Sequence, residues 1–408
     1  MEHDTDIAIV GGGLNGPVLA LALARGGFRV ALLDALPAAE RGAADFDGRA
    51  YAIARGSQNL LSALDLWERL EADAQPIRDI VVADGRAGFG ATGHHVHFDH
   101  RELEDGPFGA MVEDRHLRAA LDAAVSRAPR IAVHAPARVV AQSVGPAAAV
   151  LTLEDGRSLT CRLIVGCDGR RSGTAERAGI GRMETDYRQT SLVCALEHER
   201  PHEGVAHQMF FAEGPLAILP LRGNRVSIVW TEARERAEAV QAMDDEGYLA
   251  ALAPRFGDFL GEVRLAGARY TYPLNLSLAR RWTAQRLALV GDAAHGIHPL
   301  AGQGLNLGLR DVAALAEVLA DARRRGEDWS REPVLERYAR WRRFDTAGLA
   351  LATDGLNRLF SNDNAMLRGL RDLGLGAVNA AGPLRRAFMR EAAGLGGELP
   401  RLMRGRPL

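Results

Sequence analysis

Three short apolar runs, each closing on a glycine turn tied to an acidic residue, predict an α/β fold built on a parallel sheet. They are "DIAIVGGGLNG" (6–16), "RLIVGCDGRRS" (162–172) and "RLALVGDAAHGIHPLAGQGLN" (286–306). Strands of a parallel sheet are buried on both faces, so they read as continuous hydrophobic runs rather than alternating ones. Open α/β sheets bind ligands beyond the carboxyl ends of their strands, where these turns fall. The chain has 408 residues, enough for two or three domains.

The first unit is the clearest. "DIAIV" (6–10) reads as a buried strand, "GGGLNG" (11–16) as a turn, "LNGPVLALALARGG" (14–27) as the helix leaving it, and "RVALLD" (29–34) as a second strand. Gly11, Gly13 and Gly16 match GxGxxG, and Asp34 ends the second strand 23 residues after Gly11. Gly11 permits the tight turn, Gly13 lets the backbone approach a pyrophosphate, and Gly16 lets the helix pack on the strand. Asp34 can accept hydrogen bonds from a ribose hydroxyl. A lone GxGxxG often serves packing only; here strand, turn, helix, strand and acid fall in order, which predicts a dinucleotide site. No second GxGxxG follows a strand. Instead Asp168 with Gly169, and Gly291 with Asp292, stand beyond two further strands. Three such turns on one sheet suit one long cofactor.

Composition narrows the function classes. Net charge is -2 and all 50 basic residues are arginine, which argues against a general nucleic-acid binder. Cys161, Cys167 and Cys194 form no CxxC pair, so neither a disulfide framework nor a redox dithiol is expected. No run reaches the ~20 apolar residues of a transmembrane helix, and the amino terminus has no signal-peptide pattern. The expected location is cytoplasmic, soluble or peripheral at the inner membrane face.

Elsewhere the pattern predicts a helix at about 115–127, then several strands within 130–165 as a small antiparallel excursion around an "EDG" turn. From Tyr187 to Leu274, "TSLVCALE", "AHQMFF", "PLAILPL" and "RVSIVW" predict a second, largely antiparallel sheet, with a helix pair in "MDDEGYLAALAPRFGDFL" (243–260). Residues 304–325 and 331–391 read as mostly helical.

At this point the chain resembles a known family. GxGxxG near the start, a central "DG" and a late "GD" look like the flavoprotein monooxygenases related to p-hydroxybenzoate hydroxylase. Closer still, "DGRAYAIARGSQNLLSALDLWERL" (47–70), "YRQTSLVCALEHERPHEGVAHQMFFAEGPLAILPL" (187–221) and "VGDAAHGIHPLAGQGLNLGLRDV" (290–312) resemble the ubiquinone-biosynthesis hydroxylases, and the likeness runs from Asp6 to about Gly394. The resemblance implies a Rossmann-like FAD-binding domain of that type (1–75, 101–186 and 275–345), an inserted antiparallel-sheet substrate domain (76–100 and 187–274) and a helical carboxyl-terminal region (346–408). It gives Gly11, Gly13 and Gly16 to the pyrophosphate of non-covalent FAD, Asp34 to the adenosine ribose and Asp292 to the ribityl chain. Arg49, Arg115 and Asp168 match family positions near the cofactor. Gly291, Pro299, Gly302, Gly304 and Asn306 belong to the stretch that would wrap the flavin ring, with the positive end of the helix beginning near Gly304 favouring the anionic reduced flavin. The implied reaction is ring hydroxylation of a prenylated phenol with NAD(P)H as a transient co-substrate and O2 as oxidant.

Blander readings stand beside these. His295 and His298 are spaced as metal ligands on a helix would be, but the proline and glycines around them argue for a loop, so no metal is expected. Arg49 and Arg115 can be ordinary surface arginines, and Asp168 can cap the helix that follows it. Tyr187, His207 and Tyr272 are candidate phenol-deprotonating bases, none singled out. Hydroxylation of a small soluble phenol, prenyl-chain reduction and a non-catalytic scaffold remain alternative functions. From Met366 to Arg406 eight arginines face three acids, with Leu367, Leu370, Leu373, Leu375, Val378, Leu384, Phe388 and Met389 interleaved. That pattern suits an interfacial helix meeting a membrane or a lipid-delivering partner protein; the alternative is packing on the body with the arginines in water.

Overall fold

The structure is a computed structural model that describes residues 3–37, 40, 45–86, 90–296, 303–360 and 382–408. Pro299, Gly302 and His298 lie outside the described residues.

The apolar runs form the strands of a six-stranded sheet in the order Thr283–Ala284, Leu287–Leu289, Leu163–Gly166, Ile7–Val10, Val30–Leu33 and Ile131–His134. All its pairings are parallel except that of Thr283–Ala284 with Leu287–Leu289. Ile7–Val10, Val30–Leu33 and Leu163–Gly166 are buried at every position, as strands covered on both faces must be. The register sets Val10 beside Gly166 and Gly166 beside Leu289. All three glycine turns therefore leave the same edge of adjoining strands. Their backbones lock together there: Cys167 N donates to Val10 O (2.7 Å) and Val290 N to Gly166 O (2.9 Å). The helix Asn15–Arg25 covers one face with Val18, Leu19, Ala22 and Leu23. The expected excursion is a three-stranded antiparallel sheet, Val139–Val144, Ala149–Leu153 and Ser158–Cys161.

A second sheet runs in the order His295–Gly296, Tyr270–Ala279, Arg182–His198, Arg225–Ala233, Gly214–Leu221, Val205–Phe211, Asp79–Arg86 and Gly90–Asp99, with Val263–Leu265 added alongside Arg182–His198. Only the pairing of Val205–Phe211 with Asp79–Arg86 is parallel. One face carries Leu192, Cys194, Met209, Phe211 and Trp230 and is covered by helix Asp245–Phe256 through Tyr248, Leu252 and Phe256. The opposite face packs Ala195, Ala206 and Leu221 against Ile77, Phe108 and Met111 of the small sheet Ala50–Ala54, Gly109–Glu113 and Gln75–Ile77, and against Met389. Because His295–Gly296 joins this second sheet through Ser277 and Leu278 while Leu287–Leu289 belongs to the first, the Gly291–Asp292 turn links the two sheets.

Two expectations need correction. The helix pair placed in 243–260 is one helix, Asp245–Phe256, whose companion lies earlier at Arg234–Gln241. Gly257 at φ +79° stops the helix, and residues 258–260 leave it as a loop. The strand expected to start at Tyr187 starts at Arg182, because an irregularity between Asp186 and Gln189 lets one strand continue through both registers. Of the six carboxyl-terminal arginines among the described residues, three meet the body and Arg386, Arg404 and Arg406 are exposed. Arg385 pairs with Glu102, Arg390 with Asp105 (3.4 Å), and Arg401 with Glu317 (3.2 Å) and Asp321. In the described part, Met389, Leu402 and Met403 are buried while Phe388 is 48% exposed. Residues 361–381, including Leu367, Leu370, Leu373, Leu375 and Val378, lie outside the described residues. Among the described residues, no helix is long and apolar enough to cross a membrane.

Candidate active site

The amino-terminal turn has the geometry its glycines predict. Gly11 sits at φ +112°, and a Cβ there would collide with the Cys167 carbonyl, so this position needs glycine twice over. A Cβ at Gly16 would run into the Gly11 carbonyl oxygen. At Gly13 a Cβ would meet no protein atom within 4 Å, and the same holds at Gly304. These two backbones are bare toward open space, as close approach by a ligand requires. Asp34 uses its carboxylate to hold the turn itself: Gly12 N donates to Oδ2 (2.5 Å) and Leu36 N to Oδ1 (2.7 Å). Each carboxylate oxygen retains a further lone pair for a ribose hydroxyl.

The central turn is organised from within. Asp168 accepts from Ser172 Oγ (2.5 Å), from Thr174 N (2.9 Å) and from Thr174 Oγ1 (2.8 Å). Its carboxylate thus fixes the start of helix Gly173–Arg177, the capping reading of this residue. Arg170, two residues on, reaches across to the late turn, donating through Nε to Asp292 Oδ2 (3.3 Å) and through Nη1 to Asn275 (3.1 Å). Arg182 donates to the Asp292 and Ala293 carbonyls (3.1 and 2.6 Å).

Behind the late turn lies a charge cluster that the sequence did not advertise. Asp311, fully buried on helix Gln303–Arg324, accepts from Gly291 N (3.0 Å) and from Arg342 Nε (2.8 Å), and its Oδ2 lies 2.5 Å from His295 Nε2. Arg342, on helix Glu332–Phe360, is equally buried and also meets Asp345 (2.7 Å). Burial alone would favour the neutral acid, but His295 and Arg342 outweigh it and hold the Asp311 carboxyl below its ordinary range. His295 is thereby committed to fixing the loop. Tyr338, on the same helix as Arg342, donates to the Leu289 carbonyl (2.8 Å). The signal available for Asp311 was an acid within the largely apolar run "LNLGLRDVAALAEVLA", which it shares with Glu317; Arg342 in "RWRRF" looks like any surface arginine.

Asn306 also turns out to hold backbone. Its Nδ2 donates to Ala52 O (2.8 Å) and its Oδ1 accepts from Ala54 N (2.9 Å), stitching helix Gln303–Arg324 to strand Ala50–Ala54. Arg49 and Arg115 stand at either side of that small sheet, where Ala50 pairs with Glu113. Arg49 pairs with Asp47 (2.6 Å) and Asp114 (3.5 Å), and Arg115 with Glu113 (2.8 Å). The hydrogen bond from Arg49 to Asp47 raises the arginine pKa further. Tyr270 donates to the Asp47 carbonyl (3.1 Å), tying this corner to the second sheet.

The second sheet and the small sheet Ala50–Ala54, Gly109–Glu113 and Gln75–Ile77 enclose an apolar cavity lined by Ala52, Ile53, Ile77, Phe108, Leu219 and Gln208 among others, and bounded by Asn306 and Ala392. Of the candidate bases, His207 lines the same cavity, but its ring packs at a tilt on Phe259, 4.8 Å away, and burial pulls its pKa down to about 4. Tyr272 is 46% exposed, with burial of part of its ring raising its pKa, and Tyr187 lies on the strand Arg182–His198 beside the irregularity.

A flat dinucleotide-linked ring fits these residues. The Gly13 and Gly304 backbones are open, and Asn15 Oδ1, wedged near Gly291 and Gly308, is buried without a hydrogen-bond partner among the described residues. A family model described as an FAD binding domain matches residues 4–346. Ubiquinone hydroxylase UbiL of Rhodospirillum rubrum is 48% identical over 406 residues, covering 99% of this chain and 93% of that protein. The chain belongs to the ubiquinone-biosynthesis family of FAD-dependent hydroxylases. Within that family, 3-demethoxyubiquinol 3-hydroxylase of Escherichia coli is 38% identical, covering 97% of this chain and 100% of that one. Among solved structures, p-nitrophenol 4-monooxygenase PnpA from Pseudomonas putida aligns with a TM-score of 0.80 at 18% identity over 98% of this chain and 100% of its own, a likeness of fold. Flavin hydroxylase architecture is thus shared over nearly the whole chain.

The two glycines of the first turn separate folding from binding. Gly16→Ala should destabilise the protein, because the new methyl displaces the Gly11 carbonyl. Gly13→Ala should leave the melting temperature of the apoprotein within about 2 °C of the parent, since no protein atom is displaced, while weakening FAD by roughly tenfold or more. Thermal melts with and without FAD check both. A Gly13→Ala protein that binds FAD normally would show that this turn does not approach the cofactor.

Proposed function

We propose that this protein hydroxylates the aromatic ring of a prenylated phenol in ubiquinone biosynthesis, using FAD, NAD(P)H and O2. The observation that carries the reading is the meeting of three glycine turns, on adjoining strands, beside an apolar cavity that shares Asn306 with the helix leaving the last turn. Relatives named as ubiquinone hydroxylases support the same substrate class. The flavin-binding unit comprises 1–75, 101–186 and 275–345, and the substrate domain 76–100 and 187–274.

In this reading Gly11, Gly13, Gly16 and Asp34 hold the adenosine diphosphate half of FAD, and Asp292, oriented by Arg170, receives the ribityl hydroxyls. Bound FAD supplies hydride acceptance from NAD(P)H and activation of O2. The overall exchange balances: one ring C–H, O2, NAD(P)H and a proton give a ring C–OH, water and NAD(P)+. The chain's own share is positional. Gly304 offers bare backbone to the ring system, Gly291 is held in its turn by Asp311, the amino-terminal end of helix Gln303–Arg324 places partial positive charge there, and Ile53, Ile77, Phe108 and Leu219 keep water from the reacting carbon.

Purified protein should be yellow, release intact FAD on denaturation and be bleached by NADH or NADPH under anaerobic conditions in the presence of a prenylated phenol. In air it should yield a product one oxygen heavier. Colourless protein that cannot be reconstituted with FAD contradicts the reading. So does coupled turnover of small hydrophilic benzoates with only uncoupled NAD(P)H oxidation on prenylated phenols.

We also propose that a membrane surface delivers the tail. Exposed Arg386, Arg404 and Arg406, and half-exposed Phe388, support it. Flotation with anionic vesicles at low salt and release at high salt is the expected result; protein that stays in solution under both conditions contradicts it.

A further inference from the structure

We infer that the side-chain amide of Gln208 reads an oxygen substituent on the substrate ring, in a cavity shaped for a ring that carries no carboxylate. The inference rests on the proposed hydroxylation and names the residue that selects among its substrates. On strand Val205–Phe211 side chains alternate between faces. Met209 and Phe211 enter the core around Trp230 and Tyr248, whereas Ala206 packs with Ile77, Phe108 and Leu221 on the other face. Gln208 shares the face of Ala206 and lines the cavity.

The polar inventory of that cavity is short. Asn306 is spent on Ala52 and Ala54. The His207 ring packs at a tilt on Phe259, and burial keeps it neutral at physiological pH. Gln208 is half-buried, its backbone is paired in the sheet, and its side-chain amide has no hydrogen-bond partner among the described residues. A primary amide facing an apolar wall is costly unless something pairs with it, and it can both donate to a ring ether or carbonyl and accept from a phenol. No arginine is among the described residues lining the cavity. An anionic carboxylate would be desolvated there without a balancing cation.

The test uses FAD-loaded protein and equilibrium binding, read by flavin fluorescence, of three probes: 2-geranylphenol, geranylbenzene and 3-geranyl-4-hydroxybenzoate. Wild type should bind the phenol more tightly than the benzoate. Gln208→Leu and Gln208→Met should each weaken 2-geranylphenol roughly three- to tenfold while leaving geranylbenzene within about twofold. Equal weakening of both ligands, weakening of neither, or a benzoate bound as tightly as the phenol overturns the inference and leaves the proposed reaction standing. Wild-type protein that binds none of the three overturns both.

Discussion

The buried contact of Asp311 with Gly291, His295 and Arg342 is the constraint on which the rest of this structure depends. One carboxylate on helix Gln303–Arg324 grips the amide that begins the late turn, the imidazole that ends it, and a guanidinium from helix Glu332–Phe360. Removing one partner from a buried charge cluster costs about 3–5 kcal/mol, because the others are left unpaired in a medium that solvates them poorly. The same charges replaced by hydrocarbon would stabilise the core as well. What hydrocarbon cannot do is hold a glycine amide in one place. The cluster is therefore best understood as fixing a conformation rather than adding stability.

That conformation is the joint between the two sheets. Leu289 closes a strand of the parallel sheet, and His295 opens a strand of the antiparallel one. Between them lie Gly291 at φ +62° and Asp292, whose carboxylate faces Arg170 from the central turn. Tyr338 secures the Leu289 carbonyl from behind, and Asn306 ties the following helix to strand Ala50–Ala54 at the cavity wall. The cofactor side and the cavity side are thus set by one helix, so a displacement of its first two turns would be felt at both.

The parallel sheet was legible because its strands are short, apolar throughout and punctuated by glycine, and their order of turns follows from strand adjacency alone. The second sheet was legible as alternating runs, but the start of its strand Arg182–His198 was hidden by the irregularity after Asp186, where the period of two resets. Site residues divided along a similar line. Gly11, Gly13 and Gly16 announce themselves through missing side chains, and the structure gives each a distinct reason. Asp34, Asp168 and Asn306 were visible as polar residues in the right turns, yet their atoms first hold backbone, a use that spacing cannot reveal. Arg342 could not be found, since a buried arginine and a solvated one look alike in an arginine-rich chain. The pairing of Arg385, Arg390 and Arg401 was hidden for the same reason: their acidic partners, Glu102, Asp105 and Glu317, come from distant parts of the chain.

The claim that Asp311 shapes the late turn for the flavin is tested most directly by comparing FAD and ADP affinities of apoprotein carrying Asp311→Asn. In the proposed reading ADP would occupy the half of the site formed by Gly11, Gly13, Gly16 and Asp34, which Asp311 does not touch. The account predicts FAD binding weakened by roughly tenfold or more with ADP affinity unchanged. Equal weakening of both ligands, or undiminished FAD binding, would contradict it.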